Sequence, residues 1–232
     1  MLSRDAALAN ALWRREILPL RGARRNLKPV EHLLSGYRRF RHSVWPGRRE
    51  RFEALAQRGQ RPETLVIACS DSRVDPAMIF DVGPGELFIV RNVANLVPPF
   101  EEDTAFHGTS AAIEFAVRVL EVREVIVMGH AMCGGIHALL HPTSAERLDF
   151  ISSWVEIAAE ARDRVLACEP VEEKRQQMCE YEAIKLSLRN LMTFRWVASR
   201  VTEGRLTLHG ALFDIRTGVL SRLTANGVFE PV

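Results

Sequence analysis

The sequence contains no apolar run that approaches the ~20 residues required by a membrane-spanning helix. It also has no glycine- and serine-rich linker, internal repeat or low-complexity tract, so no division into several domains is indicated. Its 31 basic and 29 acidic side chains leave a formal charge of only +2, which gives no sign of a nucleic acid partner. These absences exclude a membrane span and make a single large domain the default for 232 residues.

Cysteine is scarce as well. The four cysteines, at positions 69, 133, 168 and 179, are too few for a disulfide framework in a chain of this length. No apolar segment typical of a secretory signal is visible near the start, and we therefore expect a cytoplasmic protein. In a reducing compartment, a cysteine is explained by metal binding or by burial. We interpret Cys168 and Cys179, which lie in helical patterns without a metal-like partner, as packing residues.

The first 28 residues form a basic arm with seven arginines or lysines and two acids. An organelle-targeting peptide is arginine-rich, but it is usually poorer in acids and richer in serine than this segment. A short amphipathic helix over residues 6–17, or an arm that packs on a partner subunit, fits better. We place the domain boundary here, with the arm at 1–28 and one domain at 29–232.

Apolar periodicity predicts an α/β fold with a mostly parallel central sheet flanked by helices. Three short apolar runs rich in β-branched residues, Thr64–Ala68, Glu86–Val90 and Glu124–Met128, are typical of parallel strands buried on both faces. Helical periodicity occurs at residues 30–45, 48–57, 107–122, 149–167 and 172–194, and a strand pair is expected near 207–215 and 218–223. Pro46-Gly47 is expected to separate the first two helices.

Two motifs follow directly after predicted parallel strands. Cys69 begins Cys-Ser-Asp-Ser-Arg after the first, and His130 begins His-Ala-Met-Cys-Gly-Gly after the third. Each motif alone is weak, but the carboxyl ends of parallel strands meet at one edge of a sheet. Cys69, His130 and Cys133 can then hold one zinc ion, and three protein ligands are typical of a catalytic site, which keeps its fourth position open. Backbone donors at Gly134 and Gly135 would serve a bound oxygen.

Asp71 and Arg73 lie beside this site and require an explanation, because charges near a buried strand end are costly unless paired. The pair can be purely structural, or Asp71 can cap a helix. Alternatively, Arg73 keeps Asp71 ionised, so that its carboxylate orients a zinc-bound hydroxide. Asp71 can also bind zinc as a fourth ligand, which pairing with Arg73 would oppose. Zinc lowers the pKa of a bound water from ~16 toward ~7, and two thiolate ligands should weaken this effect and favour alkaline activity.

These motifs resemble those of the β-class carbonic anhydrases. The resemblance runs from about Pro29 to Arg222 and includes PGELFIVRNVANLVPP at 84–99 and GTSAAIEFAV at 108–117. It implies hydration of carbon dioxide to bicarbonate, with Cys69, His130 and Cys133 as zinc ligands and Asp71-Arg73 as the orienting pair. It also implies a four-stranded parallel sheet extended by a C-terminal edge strand, and N-terminal helices that embrace a partner. The protein would be an obligate homodimer, or a tetramer or larger assembly, with active sites at the dimer interface.

The resemblance also assigns substrate-binding positions. Gln60 matches a glutamine that hydrogen-bonds bicarbonate, and Phe88, Val93 and Phe115 match positions that line the apolar pocket. Phe115 departs from the plant pattern, in which tyrosine is usual. A second branch of the family, gated by bicarbonate, has a tryptophan three residues before the first cysteine, where this chain has Val66; Arg91 is shared by both branches. We therefore expect the open branch.

Two other functions fit the same motifs. Hydrolysis of carbonyl sulfide or carbon disulfide would use the same zinc chemistry, and a non-catalytic zinc-binding homologue would retain the fold. The intact Asp71-Arg73 pair argues against the second. His137 and His141 have a metal-like spacing, but we interpret them as one face of a helix. Sequence does not choose a proton shuttle among the histidines at positions 32, 42, 107 and 209.

Overall fold

The computed structural model describes residues 29–103, 106–142 and 148–232. The basic arm at 1–28 and the helix expected within it lie outside these residues. The described residues form two compact units, residues 29–57 and 58–232. Over the described ranges, no helix combines the length and apolar character needed to cross a lipid bilayer.

The described part of the first unit is one helical run. Helix α1 (Pro29–Arg39) passes through a π-helical turn (Phe40–Val44) into helix α2 (Trp45–Arg58). The separation expected at Pro46-Gly47 is therefore wrong. Trp45 donates its backbone N–H to the carbonyl of Phe40, five residues back, and proline is tolerated in the first turn of a helix, where its missing N–H is not needed.

The second unit is built on a six-stranded sheet with the order β2-β1-β3-β4-β5-β6. The first four strands in this order are parallel, and β5 and β6 are added antiparallel at one side. The strands are β1 (Thr64–Cys69), β2 (Leu87–Asn92), β3 (Glu124–His130), β4 (Thr207–Phe213), β5 (Leu220–Leu223) and β6 (Phe229–Pro231). The predicted α/β class and parallel sheet are confirmed, whereas the three-residue β6 is too short to be detected by periodicity.

Helices of this unit differ from the predicted ones mainly at their ends. The segment expected as one helix at 149–167 contains a 3-10 turn (Glu156–Ala158), and the helix at 172–194 ends at Leu191 before a new one begins. In order they are α3 (Pro76–Ile79), α4 (Gly108–Glu114, continued by a π-helical turn, Phe115–Val119), α5 (Gly134–Leu140), α6 (Ile151–Val155), α7 (Ala159–Cys168), α8 (Glu172–Leu191) and α9 (Arg195–Thr202).

The core follows from the apolar strands. Leu65 and Ile67 on one face of β1 pack in a cluster with residues of α4, α8 and α9, and Val66 and Ala68 on the other face pack near Ile79 of α3. All four side chains are fully buried, as expected for a parallel strand covered on both sides.

The topology creates one crevice at the carboxyl ends of the strands. From the central strand β1 the chain moves outward to β2, and then returns to the opposite side of β1 to form β3. The direction of winding thus reverses between β1 and β3. Open α/β sheets bind ligands at such a reversal point, and the two sequence motifs follow the ends of these two strands.

Candidate metal centre

Three predicted ligands meet at this crevice. Cys69 is the last residue of β1, His130 is the last residue of β3, and Cys133 is the N-cap of α5. The two Sγ atoms are 3.9 Å apart, and the ligand atoms of all three residues lie within 4.8 Å of one another. All three side chains are buried.

The hydrogen bonding of His130 is typical of a metal ligand. Its Nδ1 lies 3.0 Å from the carbonyl oxygen of Ala131, and donation of a proton there leaves the lone pair on Nε2. Nε2 is buried and has no hydrogen-bond partner among the described residues. Because a buried polar atom without a partner is costly, a metal ion beside the two sulfurs would satisfy it. One imidazole nitrogen and two sulfurs form a donor set suited to zinc.

The two sulfurs titrate as a pair. Their mutual hydrogen bond lowers the pKa of Cys69 and raises that of Cys133. Backbone hydrogen bonds from Asp71 and Ala94 also lower the pKa of Cys69. Metal ions bind cysteine as the thiolate, so metal binding at this pair would release protons.

Asp71 and Arg73 form a close ion pair beside the ligands. Arg73 donates Nε to Oδ1 of Asp71 at 2.9 Å, Nη2 to Oδ2 at 2.6 Å and its backbone N–H to Oδ1 at 2.9 Å. Hydrogen bonding by Arg73 holds the pKa of Asp71 well below its usual value. Oδ2 of Asp71 is 3.8 Å from Nε2 of His130. The interpretation of Asp71 as a helix cap is wrong, since Asp75 caps α3 instead.

Arg91 fixes the loop that carries these residues. From β2 it donates Nε to the carbonyl oxygen of Cys69 at 2.9 Å, and Nη2 to the carbonyl oxygens of Asp71 at 2.6 Å and Val74 at 3.0 Å. One guanidinium group thus satisfies three backbone acceptors of the loop after β1. The sequence motif includes Arg91 but gives no indication of this function.

Gly135 packs against the segment that contains Val93. A Cβ atom at Gly135 would lie 2.8 Å from Cγ1 of Val93 and 2.9 Å from Cβ of Ala94, whereas one at Gly134 would meet nothing within 4 Å. The two glycines therefore have different functions in the fold, and only Gly135 is required for close packing. Val93 and Gly134 both lie near the ligands, because Val93 contacts α5 and Gly134 follows Cys133.

The other three predicted substrate-binding residues are not brought to these ligands within one chain. Phe88 lies opposite Leu65 in the sheet, four residues along the strands from the pair Asn92 and Cys69, which corresponds to ~13 Å. Its ring stacks on Phe115, with centroids 5.8 Å apart, and Phe115 is 43% exposed. Gln60 is exposed and precedes β1, whose far end carries Cys69.

A buried polar pair behind Cys133 was not predicted. Glu180 of α8 is only 3% exposed and accepts hydrogen bonds at Oε1 from the backbone N–H of Cys133, at 3.0 Å, and from Nε2 of Gln176, at 2.6 Å. Burial raises the pKa of Glu180. The available signal is its position on the apolar face of α8, beside Cys179 and Ala183, where a carboxylate is unexpected.

The remaining histidine and cysteine interpretations give mixed results. His137 and His141 form an exposed face of α5 with ring centroids 4.5 Å apart, beside a cleft of about 460 Å³ that reaches Cys133. They have no third metal-like ligand among the described residues. Cys179 is buried as expected, but Cys168 is exposed, so its interpretation as a packing residue is wrong.

Comparisons with known proteins agree with this geometry. A family model described as carbonic anhydrase matches residues 64–220. β-Carbonic anhydrase 3 of Arabidopsis thaliana is 37% identical over 197 residues, which cover 83% of this chain and 76% of the relative.

Solved structures are similar over nearly the whole chain. The β-carbonic anhydrase CcaA is 33% identical with a TM-score of 0.82, covering 88% of this chain and 92% of that one. A tetrameric β-carbonic anhydrase from Sordaria macrospora is 28% identical with a TM-score of 0.73, covering 84% of this chain and 97% of that one. The family match spans more than half of the chain and includes Cys69, Asp71, Arg73, His130 and Cys133, so the chain belongs to the β-carbonic anhydrases.

Proposed function

We propose that the protein catalyses the zinc-dependent, reversible hydration of carbon dioxide to bicarbonate. The observation that carries this proposal is the convergence of two sulfurs and Nε2 of His130, which has no hydrogen-bond partner among the described residues, next to a carboxylate held by arginine. Cys69, His130 and Cys133 would hold the metal. Zinc, when bound, supplies the Lewis acidity that makes water nucleophilic near neutral pH.

Asp71 orients the attacking water in this mechanism. Because Arg73 keeps the carboxylate ionised, Asp71 can accept a hydrogen bond from the water, and the water's lone pair is then directed at the carbon of carbon dioxide. The three hydrogen bonds from Arg73 also oppose binding of the carboxylate to the metal as a fourth ligand. This pairing, together with Val66 before Cys69, supports assignment to the open branch.

We further propose that the active unit is a homodimer in which the partner completes the site. Val93 and Gly134 lie near the ligands of their own chain, whereas Gln60, Phe88 and Phe115 do not. If the latter three bind substrate, they must do so at the ligands of the partner subunit. The partner's Gln60 would then donate a hydrogen bond to bicarbonate, and the partner's Phe88 and Phe115 would provide an apolar wall for carbon dioxide.

Stopped-flow hydration of carbon dioxide with parallel metal analysis tests the proposal. We expect the wild type to contain one zinc per chain, and Asp71→Asn to retain zinc while kcat/KM falls by about 10²-fold or more. Asp75→Asn is a matched control, because the same chemical change four residues away keeps a capping side chain at α3; its activity should stay within about twofold of wild type. A zinc-replete wild type without hydration activity between about pH 7 and 9 would overturn the proposal.

A further inference from the structure

Glu180 is a buried carboxylate without a function in the mechanism above. The backbone N–H of Cys133 and the amide of Gln176 both donate hydrogen bonds to the same oxygen of Glu180, Oε1. Among the described residues, no arginine or lysine is hydrogen-bonded to it, and Arg216 acts on it only through its charge. Burying a carboxyl group without a cationic partner is costly, so its position requires a reason.

Gln176 extends the contact to the carbonyl group of the same residue, Cys133. Its Nε2 donates to the carbonyl oxygen of Cys133 at 3.1 Å as well as to Glu180. Since both of these partners are acceptors, the amide must present its NH2 group to them. Two side chains one turn apart on α8 therefore bind both the N–H and the carbonyl of Cys133.

The segment that they hold is a strained turn. Met132 directly precedes Cys133 and has φ = 59°, a left-handed conformation that costs a residue with a Cβ roughly 1–2 kcal/mol. Such a conformation persists only where the surroundings enforce it. The same turn sets the position of the Cys133 sulfur relative to Cys69 and His130.

We propose that Glu180, supported by Gln176, is a positioning residue that fixes Cys133 so that its sulfur faces the other two ligands before the metal binds. The proposal rests on the metal site proposed above. Removal of outer partners of metal ligands typically lowers metal affinity by about 10- to 100-fold. A loss of this size is expected when the oxygen at position 180 is removed.

Because both hydrogen bonds are accepted by Oε1, two variants of Glu180 can separate the effect of the acceptor oxygen from that of the charge. Glu180→Gln keeps one carbonyl oxygen that can accept both hydrogen bonds, whereas Glu180→Leu has a similar volume and accepts neither. We expect Glu180→Leu to weaken zinc binding about 10- to 100-fold, measured by competition with a chromophoric chelator, and Glu180→Gln to stay within about threefold of wild type. In Co²⁺-loaded protein, the thiolate charge-transfer band should weaken or shift in Glu180→Leu only.

Glu182→Leu is the matched control for general destabilisation. Glu182 lies on the same helix with a side chain that is 15% exposed, and it pairs with Lys185 and Arg164 instead of the ligands. It should leave zinc affinity and the Co²⁺ spectrum unchanged. If Glu180→Leu does not fold, Gln176→Leu provides the test, with an expected loss of zinc affinity of several-fold.

The outcomes separate this proposal from the proposed function. Wild-type affinity and an unchanged Co²⁺ spectrum in Glu180→Leu, or in Gln176→Leu where that variant replaces it, would overturn the positioning role alone. Equal losses in Glu180→Gln and Glu180→Leu would also overturn it, because charge and not the acceptor oxygen would then be responsible. A wild type that binds no zinc would instead overturn the metal site.

Discussion

Arg73 and Asp71 repeat a local geometry that occurs elsewhere in the chain. Arg216 donates its backbone N–H, Nε and Nη2 to Asp214 in the same pattern. The Asp-x-Arg pair is therefore a stable local unit, and only the copy after β1 directs a carboxylate oxygen at His130. Location beside the ligands, and not the motif itself, is what makes this pair a candidate for catalysis.

Replacing Arg73 should therefore affect activity more than the equivalent change at Arg216. We expect Arg73→Gln to lower kcat/KM for carbon dioxide hydration by about 10- to 100-fold, because Asp71 loses the two guanidinium donors that hold it ionised and oriented. Arg216→Gln removes the same hydrogen bonds at Asp214 and should leave kcat/KM within about twofold. Equal rates for the two variants in stopped-flow assays would contradict the orienting role.

His107 provides a test of the charge distribution away from the metal centre. Its Nε2 lies 2.5 Å from Oδ1 of Asp103, and this hydrogen bond raises the pKa of His107. Asp103→Asn should return that pKa toward 6.5, which NMR titration of the imidazole protons can measure. Glu101→Gln should have a smaller effect, because Glu101 acts only through its charge. An unchanged pKa in Asp103→Asn would contradict the pairing.

The raised pKa of His107 also makes the stability of the fold depend on pH in a defined direction. The pKa of His107 is higher in the folded chain than in the unfolded chain, so its pairing stabilises the fold fully below the unfolded pKa. This contribution is lost as pH rises through the folded pKa. Because Asp103 is exposed and His107 is partly exposed, the contribution is small, and the unfolding free energies of wild type and Asp103→Asn should converge at alkaline pH.

Helix α5 packs closely on Val93 and Ala94 because residue 135 is a glycine without a side chain. Gly135→Ala places a methyl group 2.8 Å from Val93 and 2.9 Å from Ala94, so the helix must shift. We expect a loss of about 1–3 kcal/mol in the free energy of unfolding, measured in urea. Gly134→Ala meets nothing within 4 Å and should be neutral or stabilising by up to ~1 kcal/mol. Equal effects of the two variants would contradict this packing.

A helix or strand can be predicted from the sequence to the extent that its own residues, and not its tertiary contacts, determine it. Continuous apolar runs are sufficient to predict β1, β2 and β3. The burial expected on both faces is found for β1 and β3, whereas β2 lies at the edge of the sheet and is only half-buried. The helix break predicted at Pro46 does not occur. Proline is acceptable in the first turn of α2, which directly follows the π-helical turn. β6 and α9 are short and obtain their stability from neighbours, which periodicity does not detect.

The site is predictable to a similar degree. The ligands and the Asp71-Arg73 pair are visible as sequence motifs, since strand ends bring them together. Glu180 and Gln176 are not, because their role depends on where α8 packs, and that is set by tertiary contacts 43 and 47 residues from Cys133. Nor does sequence spacing show that Gln60 and Phe88 lie away from the ligands of their own chain.

At the level of the whole molecule, subunit mixing tests whether each site uses residues of both chains. Asp71→Asn and Gln60→Ala chains are each expected to be impaired. If Gln60 acts in the partner's site, every mixed dimer contains one site with both residues intact, since the two sites are related by twofold symmetry. Co-folding equal amounts, which yields half mixed dimers, should then restore about a quarter of wild-type activity.

Mixing Asp71→Asn with Arg73→Gln is the control, because those two residues serve the same site and no mixed dimer has an intact one. It should give no gain over the separate chains. A similar lack of gain for the Asp71→Asn and Gln60→Ala mixture, with mixed dimers present, would show that the sites do not share residues between subunits.

The pairing of β1 with β3 also makes metal uptake dependent on complete folding. Cys69 and Cys133 are 64 residues apart in sequence, and only the assembled centre of the sheet brings them together. In an unfolded chain, zinc can bind only groups that are close in sequence, such as His130 and Cys133, and these form a weaker chelate. Since an ion that prefers the native state adds its differential binding energy to the folding equilibrium, zinc availability should control the lifetime of this protein as well as its activity.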